Sequence, residues 1–369
     1  AFKDLGIRYW DVSVNATKNN GGHIENSGFD NMFNGATGLD MTNALYNFIF
    51  SPASPTTPLE PNEFFFIKRF QPANKQQLIN ALAHFCTRSA SAPLGTRPYD
   101  ISLTRGPTGV DAEMKNINFW DTSKITDMSS LYSGFDTILN NAVTALTITA
   151  AEKTIAENEF NNIDFSLWNV ENVTNMQSMF ENATGFDKDI SNWNVSRVTN
   201  MKNMFKNAAA FNNDSVAGAA LNGWERAAAS GVSASTLVNV TNMQSMFEGA
   251  DFFDQDIGNW NVSNVENMSF MFKQALVFNK DIKAWCVSSV TNMDQMFKEA
   301  QHFNNDDVSL NNWERAAGDG VVASTVGNVT NMSSMFEGAI AFNKDINTWN
   351  VSAVKDMSKM FMGIKGEGL

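Results

Sequence analysis

Apolar side chains recur along most of the chain in a unit of 25 residues, or one coil, that contains a Met-Phe pair. The pairs begin at Met179, Met204, Met246, Met271, Met296, Met335 and Met360. Within one coil the apolar positions lie three or four residues apart, as at Val198, Met201, Met204, Phe205 and Ala208. That spacing is typical of a short helix. An extended segment ending in Trp precedes it, so each coil is predicted to contain one short strand and one helical turn.

Two gaps between Met-Phe pairs are longer than 25 residues because near-identical segments are inserted there. The two inserts, 213–238 and 305–327, contain Trp-Glu-Arg-Ala-Ala segments that lie 89 residues apart. We expect both inserts to project from the same edge and to carry short helices anchored by Trp224 and Trp313. Insertions into repeats often carry the binding residues. With the arm at 51–72, the candidate interaction surface comprises Trp224, Glu225, Arg226, Trp313, Glu314 and Arg315.

The repeats predict a right-handed, leucine-rich-repeat-like solenoid of the α/β class over residues 117–369. Residues 1–50 form a degenerate N-terminal repeat or arm, in which Met32-Phe33-Asn34-Gly35-Ala36 resembles the repeated pattern. Residues 51–116 are read as a linker, an amphipathic capping helix at 74–85 and a loop rich in Gly, Pro and Ser.

The repeated pattern Trp-Asn-Val-Ser-x-Val-Thr-Asn-Met-x-x-Met-Phe resembles the BspA-like leucine-rich-repeat surface proteins, including the mycoplasma surface-lipoprotein repeat. The segment Phe70–Leu78 is similar to the lysine-rich helix that caps such arrays. The resemblance implies an extracellular or surface-exposed location, or a virion component, and a role in adhesion. The two inserts and the interruption at 40–116 depart from the family pattern.

Composition and charge exclude several other classes of protein. The net charge is −13 and the pI is about 4.7, which disfavours nucleic acid as a partner. No apolar run approaches the roughly 20 residues of a membrane-spanning helix. Two cysteines and three scattered histidines cannot make a four-ligand zinc site, and catalytic motifs are missing. We therefore expect no enzyme activity, no cofactor and no structural metal.

Two ladders of polar residues have alternative interpretations. The repeated Asn could recognise sugars, but stacked amides that also cap turns are favoured. The acids before Ile could hold Ca²⁺, or they could cap turns and pair with Lys188, Lys280 and Lys344. These two ladders comprise Asn175, Asn200, Asn242, Asn267, Asn292 and Asn331, and Asp189, Asp256, Asp281 and Asp345.

Two hypotheses for function follow. The first is a non-catalytic surface protein that binds a protein or glycan through its sheet face or its inserts. The second is a structural subunit of an extracellular filament, a surface layer or a virion shell, whose partners are copies of itself.

Overall fold

The computed structural model describes residues 50–52, 64–66, 71–87, 117, 120–213, 221–227, 235–317 and 323–364. Most of the predicted arm at 1–50 and of the linker and loop at 51–116 lies outside the described residues. The chain divides into two compact units, residues 1–70 with 111–113, and residues 71–110 with 114–369. In the first unit, β1 (Phe50–Pro52) pairs antiparallel with β2 (Phe64–Phe66), and Ser51 lies opposite Phe65.

The second unit begins with helices that pack against one another. They are α1 (Lys75–Thr87), α2 (Leu131–Thr144) and α3 (Ala150–Asn161). The structure confirms the helix predicted at 74–85, which corresponds to α1 and buries Leu78 and Leu82. A Cβ atom at Gly134 would lie 2.7 Å from the Ile79 side chain, so the missing side chain allows α2 to approach α1 closely.

The repeated units stack on one another, each hydrogen-bonded to the next. Parallel bridges join single residues of successive coils and form one continuous ladder: Asp127, Asn175, Asn200, Asn242, Asn267, Asn292, Asn331 and Asp356. Apart from Phe361, the Met-Phe pairs and the tryptophans of the stack are buried, as predicted for a core. Phe272, for example, lies between the rings of Phe247 and Phe297, at centroid distances of 5.7 and 5.5 Å.

The predicted leucine-rich-repeat-like solenoid, with a strand and a helical turn in each coil, is wrong. In the described coils, parallel pairing is limited to single-residue bridges, and consecutive turns occupy the segment expected to be helical. The other regular elements of the stack are short 3₁₀ helices at or near the inserts: Leu221–Trp224, Asn305–Asp307 and Asn311–Trp313.

Left-handed backbone conformations explain why neither a helix nor a strand forms. Each of the seven coils that contain a Met-Phe pair has two residues of positive φ, four positions apart, such as Asn203 (58°) and Asn207 (58°). A helix requires an unbroken right-handed backbone, and a strand requires an extended one. The apolar spacing of three instead reflects turns, in which the Met204 amide donates to the Met201 carbonyl at 3.2 Å.

The remaining amides of the turn segment donate to the next coil. Met201, Asn203 and Phe205 donate to carbonyls of Asn242, Gln244 and Met246 at 3.0, 2.8 and 2.9 Å. Along this segment, amides that donate within their own coil thus alternate with amides that donate to the next coil. In this segment, the bonds between coils all run from an amide of the earlier coil to a carbonyl of the later one.

Candidate interaction surface at the inserts

Each insert is anchored by its buried tryptophan. Trp224 is 0% exposed, donates from Nε1 to the Ile190 carbonyl at 2.9 Å, and stacks on Trp260 at 5.6 Å. Trp313 is also 0% exposed and donates to the Ile282 carbonyl at 3.0 Å. Ile190 and Ile282 occupy the same template position, so the two inserts are attached in the same way.

In each insert, an arginine also binds the backbone of the preceding coil. The guanidinium of Arg226 donates to the carbonyls of Ser191 at 3.1 Å, Asn192 at 2.9 Å and Trp193 at 3.2 Å, and also to Gly223. Arg315 makes the equivalent bonds, including 3.1 Å contacts to the carbonyls of Ala284 and Trp285. A fork of five N–H donors suits a row of carbonyls that points outward at a turn.

The glutamate between the tryptophan and the arginine binds the returning chain, which is the segment that leads from the tip of the insert back to the next coil. The Glu225 carboxylate accepts from the Leu237 amide at 2.9 Å and from the Thr236 hydroxyl at 3.2 Å. In the second insert, Glu314 accepts from the Val326 amide at 3.1 Å and the Thr325 hydroxyl at 2.9 Å. These contacts give the three residues of the Trp-Glu-Arg motif separate anchoring roles.

A serine in each insert also has a structural role that the sequence analysis missed. Ser235 and Ser324 are 2% exposed, and their hydroxyls accept the amides of Val195 at 3.1 Å and Val287 at 3.0 Å. The signal was the Ala-Ser-Thr stretch shared by both inserts. Because these serines belong to the returning chain, they fix the far end of each insert.

Antiparallel bridges close both inserts, between Arg226 and Ser235 and between Arg315 and Ser324. The segments between the bridges, 227–234 and 316–323, are the tips of the inserts. Residues 228–234 and 318–322 lie outside the described residues. The tip sequences differ, with Ala-Ser at 229–230 and Gly-Asp at 318–319. The candidate residues therefore form two anchors that hold two different tips, and their role in binding a partner remains a prediction.

The polar ladders are occupied by turn contacts. Each ladder Asn side chain accepts the amide two residues later, as Asn200 does from Lys202 at 3.1 Å. The acids before Ile do the same, for example Asp189 with Ser191 at 2.9 Å. The predicted turn-capping roles are thus confirmed.

The expected ion pairs with the acids before Ile differ from those observed. Lys280 pairs with Asp254 at 2.6 Å, and Lys344 pairs with Asp307 of the second insert at 2.7 Å. Among the described residues, no group of three or more His, Cys, Asp or Glu could hold a metal ion.

Comparison with known protein families gives one match. The family described as "Mycoplasma protein of unknown function, DUF285" matches residues 108–225, 219–321 and 319–366. The chain belongs to this family. Successive DUF285 matches meet within the inserts, at 219–225 and 319–321, so the inserts coincide with the junctions of the family pattern. Searches of curated proteins and of solved structures found no match.

The three successive DUF285 matches are consistent with a repeat protein, and the family description assigns no activity. Within the described part of the chain, no helix is long and apolar enough to cross a membrane. The insert anchors therefore remain the best-defined candidate site.

Proposed function

We propose that the chain is a non-catalytic surface repeat protein, of the adhesive type found among BspA-like proteins, that binds a protein partner through the tips of its two inserts. The observation that carries this proposal is the pair of equivalent anchors. Each insert is held by a buried Trp, a Glu that binds the returning chain and an Arg that binds the preceding coil.

Such anchoring supports binding because it lowers the entropic cost of ordering a loop on a partner. The bridge between Arg226 and Ser235 fixes both ends of a short tip, as a rigid framework does for binding loops in other proteins. A loop without these contacts would need to be ordered at the moment of binding.

The two inserts would also act together. Their flanking coils are related by the ladder positions Asn242 and Asn331, which are three steps apart through Asn267 and Asn292. At about 4.8 Å per step, the bases of the two inserts are offset by about 14 Å along the stack. A partner of protein size could contact both tips at once, and two linked contacts bind more tightly than one.

The chemistry of the inserts favours a protein over a glycan. Aromatic rings exposed at a surface can stack on sugars, but Trp224 and Trp313 are both 0% exposed. The tips carry small and polar residues, including Ser230 and Asp319, which suit hydrogen bonding to a protein surface. Glycan binding is the alternative outcome of the same experiment.

The test is to shorten the tips while keeping the anchors. Excising residues 229–232 and 318–321 leaves the segments 227–228 with 233–234, and 316–317 with 322–323, between the bridged residues. Both are long enough for a hairpin loop. We expect the variant to keep the thermal unfolding of the parent chain, because loop length costs little.

Parent and shortened chains would be applied to arrays of purified extracellular matrix proteins and of glycans. We expect the parent chain to bind at least one matrix protein and the shortened chain to lose at least tenfold in affinity. A matched control exchanges the two tips, which alters sequence at each position but retains loop length. Binding that survives removal of both tips, or no binding by the parent chain, would refute the proposal.

A further inference from the structure

Phe270 is an aromatic residue at a position where the other coils carry polar side chains. It occupies the first of the two left-handed positions of its coil, with a φ of 60°, and it is partly exposed. A left-handed backbone is unfavourable for a bulky side chain, whereas Asn adopts it more readily. The repeat itself therefore does not require a ring at this position. The other six coils that contain a Met-Phe pair have Ser178, Asn203, Ser245, Gln295, Ser334 and Lys359 there.

The contacts of Phe270 within the chain do not offset the cost of its conformation. Among the described residues, no other aromatic ring contacts it, and the ammonium of Lys273 lies 5.5 Å from the centroid of its ring. A cation–π contact at an exposed site stabilises by less than the left-handed conformation of a bulky residue costs. Strained residues of this kind are found mostly at functional sites.

A second departure from the repeat lies beside this ring. Asp294 is the only acid at its position among the seven coils that contain a Met-Phe pair. The Phe270 amide donates to the Asp294 carbonyl at 2.8 Å, so the two residues are neighbours in successive coils. The two departures therefore meet at one place on the stack. The other coils have Gln177, Lys202, Gln244, Ser269, Ser333 and Ser358 at the position of Asp294.

The carboxylate of Asp294 has room for further hydrogen bonds. Among the described residues, it accepts from Nε2 of Gln295 at 3.3 Å and forms no ion pair, because the nearby Lys273 and Lys298 pair with glutamates. Burial raises the pKa of the Asp294 carboxyl, and Asp356 raises it further against the effect of the two lysines. A carboxylate that is partly desolvated and weakly hydrogen-bonded gains from hydroxyl donors of a ligand.

Amide donors lie next to this carboxylate. Asn292 and Asp294 flank the buried Met293, and both are partly exposed. Oδ1 of Asn292 accepts the Asp294 amide at 3.0 Å, and among the described residues its Nδ2 group has no acceptor. Asn267, one coil earlier, likewise uses its Oδ1 for the Ser269 amide at 3.0 Å. The place thus combines an aromatic ring, a carboxylate acceptor and amide donors.

This combination matches the two sides of a pyranose sugar. The C–H groups of one sugar face pack on an aromatic ring, while the hydroxyls at the edge donate to a carboxylate and accept from an amide. We propose that Phe270, Asp294 and Asn292 bind a neutral hexopyranose unit of a glycan. The sugar face packs on the ring of Phe270, Asp294 accepts from two adjacent hydroxyls, and Nδ2 of Asn292 donates to one of them.

The charges around this sugar site favour a neutral sugar over a charged one. Asp294 repels an acidic sugar, since Lys273 and Lys298 are already paired with Glu248 at 3.2 Å and Glu337 at 3.1 Å. A positively charged amino sugar competes with Lys273 for the ring of Phe270. The site is independent of the function proposed for the inserts, so the variant without both tips should bind the sugar as well as the parent chain does.

The experiment applies saturation-transfer difference NMR to the full chain, because this method detects weak binding of small sugars. The probes are the methyl glycosides of glucose, galactose and mannose, with glucuronic acid and glucosamine as charged comparators. We expect at least one neutral glycoside to receive saturation, most strongly at the C–H protons of one face of its ring. The charged comparators should receive less.

The variants carry residues that other coils have at the same positions. Phe270→Ser copies Ser245 and Asp294→Ser copies Ser333, so both should unfold at the temperature of the parent chain or above it. Each should weaken sugar binding by about tenfold or more, because a stacking surface or a charged acceptor is lost. Phe270→Tyr keeps the ring and should retain binding. Phe252→Ser is the matched control, because Phe252 is 62% exposed elsewhere on the coil, and it should also retain binding.

Every other outcome contradicts the sugar site. A parent chain that gives no signal with any neutral glycoside would overturn the proposal, and so would binding that survives Phe270→Ser or Asp294→Ser. Loss of binding in the Phe252→Ser control would show that the sugars contact exposed rings without selectivity. If Phe270→Ser unfolds at a lower temperature than the parent chain, the ring serves folding and the argument from its conformation is wrong.

Discussion

The ladder that joins the coils has acids at its two described ends and asparagine in between. Asp127 and Asp356 accept the amides of Ser129 and Ser358 at 2.8 Å, the same contact that each asparagine makes. Aspartate therefore serves the turn equally well, and the Ser358 amide lowers the pKa of the Asp356 carboxyl. We infer that neighbouring positions are neutral because stacked carboxylates would repel each other.

The inference predicts how two aspartates should interact within the ladder. Asn242→Asp and Asn267→Asp should each change the free energy of unfolding little, since each has neutral ladder neighbours and keeps its turn contact. Together they place two charges on adjacent steps, about 4.8 Å apart. Both positions are partly exposed, so the effective dielectric lies between that of water and that of a protein surface. Coulomb's law then gives a penalty of about 1–3 kcal/mol beyond the sum of the single changes.

Urea unfolding of the four chains of this double-mutant cycle measures the coupling. It should be greatest near pH 7 and low salt, and it should vanish when acid neutralises the carboxylates. The control cycle pairs Asn200→Asp with Asn267→Asp, two steps or about 10 Å apart, where screening at 0.1 M salt should leave little coupling. Equal coupling in both cycles, or coupling that persists in acid, would refute the electrostatic explanation of the ladder.

Three further predictions test the insert anchor, the aromatic core and an internal ion pair. Arg226→Ala should destabilise the chain by about 2–4 kcal/mol and expose the first insert to proteolysis, while Arg197→Ala, which loses one exposed bond, should change the unfolding free energy by under about 0.5 kcal/mol. Phe272→Ala should cost about 3–5 kcal/mol in urea unfolding, and Phe361→Ala less than half of that because its ring is 48% exposed. Burial raises the pKa of Glu248, but hydrogen bonds from two lysines and a serine outweigh burial and hold the pKa below 4.5. The ionised Glu248 therefore stabilises the folded state above pH 4.5, and this contribution is lost as the pH falls through the lowered pKa. Glu248→Gln should therefore reduce the acid dependence of the unfolding free energy, measured from pH 7 to pH 3.

The register of the repeat and its buried positions could be predicted from the sequence, because side chains that stack on their own copies must recur at fixed intervals. The conformation within a coil could not. An apolar spacing of three arises from successive turns as readily as from a helix, and the left-handed positions do not share one residue type. They are occupied by Asn203 and Gly249, but also by Phe270 and Lys359.

Helices α2 and α3 were also missed, although the sequence contained a signal for them. The ladder residues Asp127 and Asn175 are 48 residues apart, almost twice the repeat length, so this interval had room for additional elements. Leu131, Phe135 and Leu139 lie at strict intervals of four residues, which indicates a helix more strongly than the mixed spacing of the coils.

The anchors of the inserts could be located from the sequence, but their chemistry could not. The duplicated Trp-Glu-Arg motif marked two equivalent places, and the tryptophans anchor them as expected. That Arg226 binds backbone carbonyls of the preceding coil depends on the path of that coil, which no pattern in the insert itself records. Carbonyl acceptors are present on every residue, so they leave no trace in the sequence.

Because the coils are equivalent, only a few places on this protein can recognise a partner specifically. A coil whose apolar face and amides bind the next coil presents similar side chains at each step, so it offers little to distinguish one partner from another. Equivalence of the backbone is broken at the first coil, where Lys75 binds, and at the two inserts. The first break is occupied by α1, and the bases of the inserts are occupied by their own anchors. The places that remain for a protein partner are therefore the tips of the inserts, whose sequences differ from each other.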